Sequence, residues 1–154
     1  MARFALDRDI RFFEGISREL VDAVVENTAV IFKLIIESSK VNIYGESLSK
    51  TYYSGVETPC MIERDDASTA YEGFGPDTTQ NARFRFNRFT LEDKGIYPEI
   101  GDIIYHNDAY FEIDNVQEDQ LIGGRPSEKF SIICSTFMTR KSTLQIEERN
   151  IWLS

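Results

Sequence analysis

A single histidine, His106, is the residue with the widest range of possible chemistry in this sequence. A Ser-His-Asp device would depend on this one imidazole beside a predicted turn, and no G-x-S-x-G motif accompanies it. Acidic residues are plentiful, but neither their spacing nor their context singles out a pair suited to general acid–base catalysis. We therefore predict no catalytic residue and no enzymatic activity, with His106 as a solvated turn residue.

The sequence also lacks the usual signatures of metal and cofactor binding. One histidine excludes His-rich metal sites, and Cys60 and Cys134 do not have the spacing of a zinc site or of a thioredoxin-like pair. Gly123-Gly124-Arg125 lacks the lysine spacing and the following helix of a phosphate-binding loop. We expect no metal and no cofactor, and we expect both cysteines to be buried free thiols, with a disulfide as the alternative.

The run Arg83-Phe84-Arg85-Phe86-Asn87-Arg88-Phe89 is the best candidate for nucleic-acid binding. Interleaved basic and aromatic residues can hold a phosphate backbone and stack on bases. Alternation along a strand, however, sends the arginines and the phenylalanines to opposite faces, so the rings enter the core. The favoured interpretation is a core strand whose exposed Arg83 and Arg85 meet an acidic neighbouring subunit. A nucleic-acid-binding domain that uses Arg83, Arg85 and Arg88 is the alternative.

Composition and charge restrict the class of protein. The 154 residues fit one domain, and a hydrophobic fraction of 42% is typical of a globular chain. A net charge of −9 disfavours general nucleic-acid binding, although an acidic wall lets a passing duplex move without sticking. The most apolar stretch, residues 29–36, is too short to span a bilayer, and the N-terminus has no signal-peptide pattern. We expect a soluble protein made in a cytoplasm, without membrane contact.

Residues 1–40 are predicted to form an extended arm followed by a helix. The arm, residues 1–14, includes Phe12 and Phe13, which it cannot bury alone; they either lie on their own domain or reach a neighbour. From Ser17, a candidate N-cap, apolar residues recur at helical spacing while Arg18 and Asp22 face away. Residues 29–36 continue the helix or form a strand, and a strand is favoured because they are β-branched and aromatic.

Residues 41–154 are predicted to form the main β domain. Pro59 marks the strand at 56–63 as an edge, since proline donates no ladder hydrogen bond. Asn107-Asp108 predicts a hairpin turn between strands at 103–106 and 109–116. Residues 129–140 are predicted as the longest strand, and residues 143–148 as a short last one. The fold class is mainly β: a small antiparallel β-barrel or sandwich of five to seven strands, with the N-terminal helix and arm.

Two further segments are predicted to make contacts outside the domain. Residues 65–80 form a loop rich in Asp, Ser, Thr, Gly and Pro, and a loop of this length without structure of its own is usually functional or mobile. Residues 147–154 end in Ile151, Trp152 and Leu153. These large apolar side chains dock either on their own core or in a neighbouring molecule.

Three segments together resemble one family. The first segment is Tyr97-Pro98-Glu99-Ile100-Gly101-Asp102-Ile103-Ile104-Tyr105, and the second is Tyr110-Phe111-Glu112-Ile113-Asp114-Asn115-Val116. They resemble the P-x-x-G-D-x-I-Y and F-E-I-x-x-V segments of neck proteins, which are the head-to-tail connectors of contractile-tailed bacteriophages. Asn42-Ile43-Tyr44-Gly45-Glu46-Ser47 is similar to the family's L/I-Y-G-E segment. The resemblance covers residues 41–146, and the first forty residues do not share it.

The resemblance implies a structural virion protein that forms a ring, hexameric in the family, between the portal-bound adaptor and the tail. We expect genomic DNA to pass through the channel without specific binding, and assembly to take place in the host cytoplasm. Another tail-tube, tail-terminator or baseplate position is the alternative. The residues expected to contact sister subunits or partners are Phe12, Phe13, Asp65, Asp66, Tyr71, Phe74, Arg83, Arg85, Ile151, Trp152 and Leu153.

Overall fold

The computed structural model describes residues 7–35, 40–41, 47–72, 75–120, 129–140 and 144–146. The chain begins with helix α1 (Asp7–Glu19), which continues as a π-helical segment, Leu20–Val25. The helix therefore starts earlier than predicted, and residues 7–14 are helical rather than an extended arm. Ser17 lies inside the helix and is not its N-cap.

The main sheet of the described chain is antiparallel and has seven strands. Its order is β4 (Val56–Pro59), β1 (Thr28–Phe32), β9 (Ile103–His106), β10 (Ala109–Gln120), β11 (Lys129–Thr139), β8 (Asn81–Asn87) and β5 (Met61–Arg64). The predicted mainly β fold with an N-terminal helix is confirmed. The strand at residues 28–32 and the edge position of Pro59 are also as predicted, whereas β10, not β11, is the longer of the two long strands.

The sheet curls into a half-barrel because its two edge strands are consecutive in the chain. β4 and β5 are separated by Cys60 alone, yet one pairs with β1 and the other with β8. The backbone N–H of Cys60 donates to the carbonyl of Asn27 at 2.8 Å, and its side chain is fully buried. The edges of the sheet therefore meet at Cys60.

The core fills the inside of the half-barrel with the alternate residues of its strands. Helix α2 (Arg88–Lys94), which the sequence analysis missed, contributes Leu91 to this core. Asn87 caps α2 by accepting a hydrogen bond from Phe89 N–H at 3.1 Å. The core residues are Ala29, Ile31, Cys60, Ala82, Phe84, Phe86, Leu91, Ile96, Ile104, Phe111, Ile113, Ile132 and Cys134.

A second layer covers part of the outer surface of the half-barrel. β2 (Lys40–Val41), β3 (Ser47–Tyr52) and β12 (Leu144–Ile146) form a small sheet, in which β12 runs parallel to β3. Lys50 of this sheet forms an ion pair with Glu112 of β10. Successive strand residues point to opposite faces, so the complete burial of both Ile103 and Ile104 shows that both faces of β9 are covered.

The turn before β9 is organised by the buried carboxylate of Asp102. Its oxygens accept hydrogen bonds from Leu34 N–H at 2.9 Å, Glu99 N–H at 2.8 Å and Lys33 Nζ at 2.7 Å. Burial acts to lower the pKa of Lys33, but its bonds to Asp102 and Glu99 outweigh this effect and raise it. The Gly-Asp pair of the family-like segment thus ties the end of β1 to the start of β9.

Two predicted divisions of the chain do not hold. The boundary between residues 40 and 41 separates no unit, because β1 lies inside the main sheet. Residues 65–80, predicted as a loop, contain the paired strands β6 (Ser68–Glu72) and β7 (Gly75–Thr79). The predicted hairpin turn is confirmed: Asn107 and Asp108 both have positive φ angles, 49° and 61°.

Candidate interaction surfaces

His106 belongs to a polar cluster at one end of the half-barrel, and its prediction as a solvated turn residue is wrong. Arg64 Nη2 lies 2.6 Å from His106 Nδ1 and donates to the His106 carbonyl at 3.0 Å. Because a guanidinium only donates, Nδ1 must accept, which leaves the proton on Nε2, 3.1 Å from Asn27 Oδ1. The Arg64 guanidinium also lies 5.2 Å from the centre of the Phe111 ring.

This cluster holds His106 in its neutral form. Burial lowers the pKa of His106, and the charge of Arg64 lowers it further. Both ring nitrogens are engaged by protein groups, so neither is available to take a proton from a substrate. The arrangement fixes the end of β9 against β5 and against the residues before β1.

The cysteines are free and buried, as predicted. Burial raises the pKa of both Cys60 and Cys134 to about 12, so these thiols stay protonated. Among the described residues, no cluster of three or more His, Cys, Asp or Glu side chains is arranged to hold a metal ion. Within the same residues, no helix has the length and apolar character needed to cross a membrane.

Several large apolar side chains of the N-terminal helix are exposed, although Val21 is buried. Phe12, Ile16, Leu20 and Val24, which we call the apolar stripe, follow one another at four-residue spacing and are 47–67% exposed. Phe13, beside the stripe, is exposed as well. Contiguous exposed apolar surface of this kind marks an interaction site.

The side of the same helix that contacts the rest of the protein carries the buried Val21 together with polar contacts. Arg18 forms an ion pair with Asp93 of α2, and Asp22 accepts a hydrogen bond from Thr90 at 2.9 Å. The sequence analysis placed Arg18 and Asp22 on the side facing away: Arg18 is exposed, as predicted, whereas Asp22 is half-buried against α2, next to the buried Val21. An amphipathic pattern reports two faces, but it does not tell which one meets the core.

A two-stranded arm projects from the sheet. β6 and β7 continue the β5–β8 pair outward, from the Arg64–Ala82 pair to the Ser68–Thr79 pair and on to the Glu72–Gly75 pair. The side chain of Tyr71 is 84% exposed, and Asp65 and Asp66 are exposed at the base. An isolated two-stranded hairpin is only marginally stable in water, so contact with a partner would stabilise this β6–β7 arm.

A groove of about 690 Å³ lies on the uncovered outer face of β10, β11, β8 and β5. Arg85 stands between Met61 and Ile133 in the strand register, and Arg83 stands between Glu63 and Ser135. Val25 and Asn27, at the end of the π-helical segment, form one wall, and Gln117 extends the floor. We call this the arginine groove; its apolar residues were not singled out from the sequence.

The Arg-Phe segment divides between core and surface as predicted. Phe84 and Phe86 are fully buried, whereas Arg83 and Arg85 are exposed. Arg88 lies on α2, where its Nε donates to Glu92 at 2.9 Å, and it does not line the groove. The structure does not bring the three arginines together with exposed rings, which is what single-strand binding requires.

The other predicted contact residues are distributed over several surfaces. Phe12 and Phe13 lie on the helix, Tyr71 and the two aspartates on the arm, and Arg83 and Arg85 in the groove. Phe74, Ile151, Trp152 and Leu153 lie outside the described residues, as do the predicted turn at 121–126 and most of the segment 42–47. A scan against models of known protein families gives no match, and a search of curated protein sequences gives none either.

Proposed function

We propose that this chain is a structural subunit of the neck of a contractile-tailed bacteriophage. It forms a ring, hexameric as the resemblance implies, between the portal-bound adaptor of the filled head and the tail. It contacts adaptor subunits on one side and the tail terminator or tail tube on the other. Genomic DNA passes through the channel of this ring without specific binding.

The observation that carries the proposal is the apolar stripe on the N-terminal helix. The stripe presents four large side chains to solvent on a helix that contacts α2 through Arg18 and Asp22. A subunit that works alone gains nothing from this arrangement, whereas a subunit that docks on another protein buries the stripe on assembly. We assign the stripe to contact with the adaptor ring.

Ring geometry explains why modest surfaces suffice for firm attachment. Each copy offers one stripe, and several copies bound together make the stripes act as linked sites. Acidic chains of net charge −9 also repel the phosphate backbone, which keeps DNA mobile in the channel. The P-x-x-G-D turn and the following hairpin support the proposal through their resemblance to the neck-protein segments, and they form the central strands β9 and β10 of the sheet.

The test combines the purified chain with the portal–adaptor complex encoded by the same genome. Size-exclusion chromatography with light scattering should show co-elution of the wild-type chain with the complex. Leu20→Glu, in the middle of the stripe, should abolish co-elution, because it places a charge in an apolar contact. Ser54→Glu, an exposed position outside the helix, adds the same charge and should leave it intact. A folded wild-type chain that never joins the complex would contradict the proposal.

A further inference from the structure

We propose that the subunits join head to tail, with the β6–β7 arm of one copy seated in the arginine groove of the next. This inference deepens the proposed function and rests on it, since it names the contact that links copies within the ring. The occupant of the groove is a second copy of this chain, and Tyr71 is the side chain that enters it.

The two surfaces have opposite charge. Residues 65–80 contain four acidic residues, Asp65, Asp66, Glu72 and Asp77, and no lysine or arginine. The charged residues that line the groove are Arg83, Arg85 and Glu63; Arg83 pairs with Glu63 at 3.9 Å, and the formal charge of the groove is +1. Opposite charges on two patches of an otherwise acidic chain favour their pairing and disfavour contact between other faces.

The groove also offers apolar groups to the arm. Tyr71 is the exposed aromatic residue of the arm, and Glu72 follows it in β6. In the groove, Arg85 is flanked by Met61 and Ile133, which offer an apolar floor beneath a cation. A tyrosine ring can lie on this floor with the Arg85 guanidinium against its face, while its hydroxyl stays near water.

The arm cannot occupy the groove of its own copy. The strands that line the groove at Met61, Glu63, Arg83 and Arg85 are the same two strands that continue into the arm. The paired register runs from Arg64–Ala82 to Ser68–Thr79 and carries the arm away from the groove. Arm and groove are different surfaces, so their contact is heterologous, and repetition of such a contact closes a ring when the rotation allows it.

The test uses a groove variant and an arm variant of the full chain. Arg85→Glu reverses the charge in the groove, with Arg140→Glu, an exposed arginine beyond β11, as its control. Tyr71→Ser removes the aromatic ring from the arm, with Ala70→Ser on the opposite face of the same strand as its control. Sedimentation equilibrium should show subunit association weakened about 10- to 100-fold in both variants and unchanged in both controls.

Mixing the two variants provides the decisive measurement. The groove variant keeps an intact arm and the arm variant keeps an intact groove, so a mixture can make one head-to-tail contact and no more. Light scattering should then report a particle of twice the 17.8 kDa subunit mass, which neither variant forms alone. Association that is unchanged in both variants, or a mixture that stays monomeric, would overturn the inference.

The two proposals fail in different ways. A wild-type chain that is monomeric at every concentration overturns the arm-in-groove contact, and the proposed function is then judged by co-elution with the portal–adaptor complex alone. A wild-type ring that survives both substitutions overturns the contact and leaves the neck function in place. Circular dichroism of each variant separates a lost contact from a lost fold.

Discussion

Removal of the Asp102 carboxylate should destabilise the fold more than any other single change at a charged residue in the half-barrel. Asp102 is buried, and it accepts from the backbone of Leu34, from the backbone of Glu99 and from the ammonium of Lys33. In Asp102→Ala, the backbone N–H groups of Leu34 and Glu99 both lose their acceptor. Lys33 keeps Glu99 as a partner and is partly exposed, so it suffers less.

The size of the effect follows from these contacts. A buried donor left without its acceptor costs about 1–3 kcal/mol, so the two N–H groups together cost about 2–6 kcal/mol. Glu99 is exposed and its N–H can recover water, so we expect a loss of about 3 kcal/mol in the free energy of unfolding. For a chain of this length, that loss lowers the melting temperature by about 6–12 °C. Asp102→Asn keeps one accepting oxygen and should lose about half as much.

Urea denaturation followed by circular dichroism measures these differences. Asp114→Ala, an exposed aspartate on β10, is the matched control and should change the free energy of unfolding by less than about 0.5 kcal/mol. A loss below about 1 kcal/mol in Asp102→Ala, or equal losses in Asp102→Ala and the control Asp114→Ala, would refute the claim that this carboxylate ties β1 to β9.

Further predictions concern the polar cluster, a close approach and a buried thiol. The folded chain lowers the pKa of His106 below the ordinary 6.5, so the unfolded chain binds the proton more tightly; the stabilisation is complete above pH 6.5 and is lost as the pH falls towards the folded-state pKa. Urea denaturation across about pH 5–8 should show that the free energy of unfolding of the wild type falls at low pH relative to that of His106→Gln. The same pH dependence in both proteins would contradict this prediction. A Cβ at Gly55 would lie 2.3 Å from Val30 Cγ1, so Gly55→Ala should lower the free energy of unfolding by about 1–3 kcal/mol. Gly15 lies inside a helix with open space around it, so Gly15→Ala should raise the free energy of unfolding by about 0.5–1 kcal/mol; thermal melts measure both changes. Cys134→Ser puts a hydroxyl in the core and should lower the free energy of unfolding by about 1–3 kcal/mol in urea titrations. An unchanged free energy of unfolding would show that water reaches this site.

The β pattern was predictable where one face of a strand is buried and the other is wet. Alternation in Arg83-Phe84-Arg85-Phe86 placed each side chain correctly, because strand geometry alone decides which residues share a face. The Asn107-Asp108 turn was predictable for the same local reason, since these residues tolerate positive φ angles. Helix α2 was missed because Phe89 and Leu91 extend the aromatic run of β8 without a clear break in pattern.

The interaction surfaces were predictable only in part. Tyr71, Arg83 and Arg85 were singled out from the sequence, and their exposure agrees with a contact role. Helical spacing was recognised from Ser17 onward, but Phe12 was placed in an extended arm, and the exposure of the stripe follows from how the helix packs on distant residues such as Thr90. Met61 and Ile133 gave no signal, because single apolar residues on an outer strand face are ordinary.

The sequence by itself determined the local features of this protein: strand faces, the hairpin turn, the edge proline and the acidity of residues 65–80. The tertiary structure alone decided three further matters: that the two edge strands of the half-barrel are joined at Cys60, that the arm extends beyond the sheet, and that the groove forms from four strands. The physical reason is the distance along the chain over which each kind of interaction acts. Side-chain alternation and turn preference act over a few residues, whereas the pairing of β4 with β1 and of β5 with β8 depends on contacts between distant parts of the chain.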